Sequence, residues 1–196
     1  MGAFYFKSII MAERKISYNH AFNKKKARDF LFSLFTQQQL NKIVGLAGPD
    51  VPDYIEFCKS KGYTEFEIFE NHIPTVLEQI KYFRTQAKVR LTYGDILNTN
   101  ADRDDVLFDL DYCVTARYMY SHLKKFNKNF IMTFARRITD KETFDAFFKA
   151  KGETLKSVLT LFTPLKHSIL TTEEGNEYYY VEYRDTSNMC CFAKIN

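Results

Sequence analysis

Apolar residues fall along this chain in short runs that stop at Gly or an acid, and residues with helical spacing fill the intervals. The runs at 43–47, 66–69, 89–92, 106–109 and 130–134 read as buried strands. Between 23 and 39 the apolar positions Ala27, Phe30, Leu31, Leu34 and Phe35 recur at three and four, which predicts an amphipathic helix. A second helix is predicted over 52–61, with Pro52 in its first turn and Gly62 just past its end, and others over 75–84, 115–126 and 141–151. Strands that alternate with helices of this length imply an α/β fold, a mostly parallel sheet with helices on both faces. After 151 the pattern changes: 168–172, 177–183 and 189–195 are strand-like and separated by the turn residues 173–176 and 184–187. A C-terminal antiparallel β-hairpin should therefore close the sheet.

A chain of 196 residues, 45% hydrophobic, has material for one real core and too little for two ordinary domains. The expected organisation is a basic helical N-terminal extension, 1–41, followed by an α/β domain, 42–196. The net charge of +4 is concentrated in the first 42 residues, where Lys7, Arg14, Lys15, Lys24, Lys25, Lys26, Arg28 and Lys42 face only Glu13 and Asp29. Such a segment suits phosphates or an acidic surface. The lysines at the start of the first predicted helix oppose its dipole, so they are not placed there for helix stability. Cys58, Cys113, Cys190 and Cys191 lack C-x-x-C spacing, and the four histidines show no ligand pattern, so a reduced cytoplasmic protein without a metal site is expected. No apolar stretch has the length of a membrane span, and Lys7 interrupts the first ten residues too early for a signal-peptide core.

Acids or small residues stand at the end of each of the first four strands. Gly45-Leu46-Ala47-Gly48 follows the first, Glu70 ends the second, Asp95 follows the third, and Asp109 and Asp111 lie in the fourth. Being two apart on an extended chain, Asp109 and Asp111 share one side of the strand. In this order the elements resemble the class I S-adenosylmethionine-dependent methyltransferases, over roughly 23–196. The resemblance implies a Rossmann-like fold with S-adenosylmethionine as cofactor and a methyl acceptor bearing O or N. It places the cofactor against Gly45, Leu46, Ala47 and Gly48, its ribose on Glu70, and its adenine amino group on Asp95 with Ile96 packed on the ring. Two features depart from the family's loop: Ala47 and Pro49 stand where glycines are usual, and Ile43 stands where an acid is common. Asp111 would serve as proton acceptor or orienting group for the acceptor. Asp109 would lie nearer the cofactor, and Tyr112 would stack on a planar substrate. Lys24, Lys25, Lys26 and Arg28, joined by Arg136 and Arg137 after the fifth strand, would form a positive rim for a phosphate-bearing substrate, nucleic acid included. Two other classes remain open from the same residues. One is a methyltransferase fold kept as a binding module. The other is a haloacid-dehalogenase-type phosphatase, which 106–111 resembles with Asp109 as nucleophile, Asp111 as acid and base, and Thr133 in its second motif.

Overall fold

The structure is a computed structural model that describes residues 22–86, 88–115, 119–126, 128–135, 166–171, 175–184 and 188–195. The elements run α1 (Phe22–Ser33), β1 (Lys42–Gly45), α2 (Val51–Ser60), β2 (Glu65–Glu70), α3 (Ile73–Phe83), β3 (Val89–Tyr93), a 3-10 turn (Ile96–Asn98), β4 (Val106–Thr115), α4 (Met119–Lys125), β5 (Phe130–Ala135), β6 (Lys166–Thr171), β7 (Glu177–Arg184) and β8 (Asn188–Lys194). They form one eight-stranded sheet in the order β3-β2-β1-β4-β5-β8-β7-β6. The first five strands are parallel and the last three join antiparallel.

The α/β reading holds, with two differences in detail. The expected C-terminal antiparallel pair is present as β7 and β8, but β6 extends it to three strands, and its last strand, β8, is the one that pairs with β5. Cys190, Cys191, Phe192 and Ala193 are all buried, which a strand flanked on both sides requires. The first helix ends at Ser33 rather than 39, and turns carry the chain to Gln39, where φ is 52°. The helix expected over 141–151 lies outside the described residues.

Alternation along the strands sorts the core into two layers. On one face α1 (Ala27, Leu31, Phe32), Phe35 in the turn after it, and α2 (Val51, Ile55, Cys58) cover Ile43, Ile68, Leu107 and Ile131. On the other, Leu123 of α4 and Phe126 just beyond it cover Val44, Phe108, Leu110, Phe130, Met132 and Phe134. Each fully buried Val, Leu, Ile, Phe or Met among them contributes roughly 1.5–3 kcal/mol. The residues of α1 thus belong to the same core as the sheet, and the helix also lies against β7. Among the described residues no helix is long and apolar enough to cross a membrane.

The order 3-2-1-4-5 reverses direction between β1 and β4. In open α/β sheets that reversal opens a crevice beyond the C-terminal strand ends, the usual ligand position. Gly45 ends β1 and pairs with Asp109 of β4 at this point.

Candidate active site

Gly45 is glycine for a steric reason. A Cβ there would sit 2.6 Å from the backbone oxygen of Asp109 and 2.7 Å from the Tyr54 hydroxyl oxygen. The neighbouring strand cannot withdraw, because the Leu46 N–H donates to that same Asp109 oxygen at 3.1 Å. Gly45→Ala is therefore expected to cost about 1–3 kcal/mol, the range for overpacking a filled core. Urea denaturation measures it, and a variant as stable as wild type would show that β1 and β4 can part here. Gly48 is glycine for a backbone reason, with φ at 61° and open space around it. Its carbonyl accepts a hydrogen bond of 2.6 Å from Nε2 of the buried Gln79, which ties the loop to α3.

The acids after β2 and β3 share one design. Glu70 Oε1 accepts the N–H groups of Asn71 and His72 at 2.9 and 2.8 Å. Asp95 Oδ1 accepts the N–H of Leu97 at 2.9 Å. Each carboxylate is thereby oriented by its own turn, and its second oxygen has no hydrogen-bond partner among the described residues. Glu70 pairs in register with Tyr93 on the next strand, so Asp95 stands two residues beyond it on the same edge. Ile96 is 2% exposed, within the cluster that holds Val44 and Phe108, so in this structure it supports the Asp95 turn from below.

Asp109 and Asp111 do share a face, and α1 lies across it. Arg28 donates from its guanidinium to Asp109 Oδ2, with side-chain exposures of 2% and 0% that seal the pair from water. The Tyr54 hydroxyl donates to the same oxygen at 2.9 Å. Burial pushes the Asp109 carboxyl above its ordinary value while Arg28 pulls it back. One helical turn earlier, Lys24 meets Asp111 Oδ2 at 2.6 Å, and this pair is only partly buried. The fit is one of spacing. Four residues of helix rise about 6 Å, and two residues of strand span about 6.6 Å. Lysine and arginine four apart thus match acids two apart.

This geometry redistributes the residues singled out from sequence. Arg28 is in the core, where nucleic acid cannot touch it, and Lys24 is engaged by Asp111. Lys25 is exposed and Lys26 half-buried, while Arg136 and Arg137 lie outside the described residues. Asp109 is closed to substrate in this arrangement and cannot attack phosphorus as a phosphatase nucleophile would. Tyr112 is buried, stacked on Phe134 at 5.4 Å, so one ring face is already taken. Tyr54 and Gln79 were not anticipated; their signal is a polar group at an inward position of an amphipathic helix, which needs a partner.

Five parallel strands in the order 3-2-1-4-5, closed by antiparallel strands and carrying small residues or acids at successive strand ends, make this a Rossmann-type α/β fold. Solved structures similar to it include the N-methyltransferase NodS from Bradyrhizobium japonicum, with TM-score 0.47 and 11% identity over 89% of this chain and 97% of that one. A putative methylase from Haemophilus influenzae has TM-score 0.47 and 12% identity, covering 89% and 99%. An rRNA methylase from Streptococcus thermophilus has TM-score 0.45 and 9% identity, covering 87% and 95%. No family model and no curated protein matches the sequence.

Proposed function

We propose that the protein is an S-adenosylmethionine-dependent methyltransferase whose cofactor lies across the ends of β1, β2 and β3. The observation that carries this reading is the matched pair Glu70 and Asp95. Two neighbouring strand ends each hold a carboxylate with one oxygen fixed by a local turn and the other unengaged among the described residues. That is the donor-accepting geometry a ribose hydroxyl and an adenine amino group call for. The loop from Gly45 to Gly48, anchored by Gln79, supplies close backbone approach for the rest of the molecule. When bound, the cofactor brings an electrophilic methyl group on a sulfonium. The chain's part is to orient it, to present the acceptor at the end of β4, and to take the acceptor's proton on Asp111. The acceptor is an oxygen or nitrogen, and nucleic acid is among the substrates this reading admits.

Calorimetry with S-adenosylhomocysteine tests the cofactor claim. Wild type should bind, and Glu70→Ala should lose about 1.5–3 kcal/mol, the range for hydrogen bonds to a charged group. No heat at millimolar ligand with folded protein rules the claim out. A second reading, a methyltransferase fold serving as a binding module, is favoured by one observation: Lys24 already occupies an oxygen of Asp111, the acid that turnover would use.

A further inference from the structure

Tyr112 and His122 carry buried polar atoms for which the described residues provide no hydrogen-bond partner. Their rings meet edge to face with centroids 4.3 Å apart, and Tyr112 stacks on Phe134. Both residues are 9% exposed, and neither the Tyr112 hydroxyl nor His122 Nδ1 has a hydrogen-bond partner among the described residues. Buried polar groups are ordinarily paired, because an unpaired one destabilises the fold. Phenylalanine at either position would give the ring contacts without that cost.

What stands beside the pair indicates a ligand. Ile96, the residue after Asp95, shares one buried cluster with Tyr112 and Phe134. Burial pushes the Tyr112 phenol up and Asp95 adds to it; burial pulls the His122 imidazole down against the opposing effect of Asp95. Asp95 therefore lies close enough to act on both rings, and burial favours the neutral form of His122. A phenol donates or accepts, and a neutral imidazole nitrogen does one or the other according to its tautomer. Together with a carboxylate acceptor they match the rim of a flat heterocycle that alternates ring nitrogens with an amino group.

We propose that the Tyr112 hydroxyl and His122 Nδ1 bind the edge of the adenine of S-adenosylmethionine, completing the contact that Asp95 begins. This rests on the methyltransferase reading above and gives Tyr112 a different task from stacking on the acceptor. A base sliding between the Asp95 turn and α4 converts two unmet hydrogen bonds into two made ones. The same groups that weaken the empty protein then strengthen the complex.

The experiment is S-adenosylhomocysteine calorimetry on wild type, Tyr112→Phe and His122→Phe, with thermal melts of each in the absence of ligand. Tyr112→Phe should lose about tenfold or more in affinity, the scale of one removed hydrogen bond, while its ligand-free melting temperature stays level or rises. His122→Phe should move in the same direction and serves where the first variant folds poorly. Affinities within twofold of wild type for both variants overturn this inference alone and leave the Glu70-dependent site intact. A ligand-free melting temperature that falls in both variants also overturns it, since the two polar atoms would then be bonded within the protein. No binding by wild type overturns it together with the cofactor reading.

Discussion

Arg28→Met is expected to cost about 3–5 kcal/mol of folding free energy, the loss that follows when one member of a buried ion pair is removed. The size comes from what remains. Asp109 is 0% exposed, and without the guanidinium its charge would keep, among the described residues, only the Tyr54 hydroxyl as a donor. Arg28 also lies over the rings of Phe32 and Phe57, at 5.2 and 5.7 Å, contacts that a methionine replaces only in part. The double variant Arg28→Met with Asp109→Leu should recover much of the loss, because apolar pairs of similar volume often equal or exceed a buried ion pair. Chemical denaturation followed by circular dichroism measures all three variants. A single-variant cost under about 1 kcal/mol would mean that the pair is open to water, against the burial seen here.

The same variant should carry a pH signature. With Arg28 gone, burial acts on Asp109 against the Tyr54 hydroxyl alone, and its folded-state value rises further above that of the unfolded chain, about 3.9. The folded state then binds more protons than the unfolded state in the window above that value, so stability falls as pH rises through it. The deficit of Arg28→Met relative to wild type should accordingly be smaller near pH 4.5 than near pH 8.

The strands were legible because a parallel sheet buried on both faces needs short apolar runs, and 43–47, 106–109 and 130–134 are such runs. The order of the last three strands was not, since alternation in 177–183 and 189–195 is the same whichever of them meets β5. The individual acids were visible too, but their partners were not. Arg28 and Asp109 are 81 residues apart, and nothing local joins them. Two signals nonetheless pointed there. An aspartate inside an otherwise apolar strand requires a buried cation, and cations at 24 and 28 oppose the dipole of the helix they begin. Combined with the matched rise of helix and strand, they suffice to set α1 against β4. Read separately, they suggested a catalytic acid and a surface rim.

Asp111→Asn is expected to lower turnover by roughly 10²–10⁴-fold, the contribution of a positioned proton acceptor, and to leave S-adenosylhomocysteine affinity nearly unchanged. The two neighbouring acids divide by exposure. Asp109 is sealed, whereas Asp111 is 16% exposed and its Oδ1 has no hydrogen-bond partner among the described residues. An acceptor reaching the end of β4 can therefore meet Oδ1 while Lys24 keeps Oδ2. Loss of the Lys24 contact should cost at most about 1 kcal/mol, because partly exposed ion pairs contribute little. The variant should then fold, and a rate loss far beyond that figure belongs to the chemistry. Transfer of tritiated methyl groups from the cofactor to total RNA and to a protein extract gives the rate, and calorimetry gives the affinity. Equal turnover in variant and wild type removes Asp111 from the reaction, and parallel loss of rate and affinity moves it to the cofactor site. Wild-type protein that binds cofactor but labels neither pool favours the binding-module reading, with the Lys24 contact to Asp111 as its structural reason.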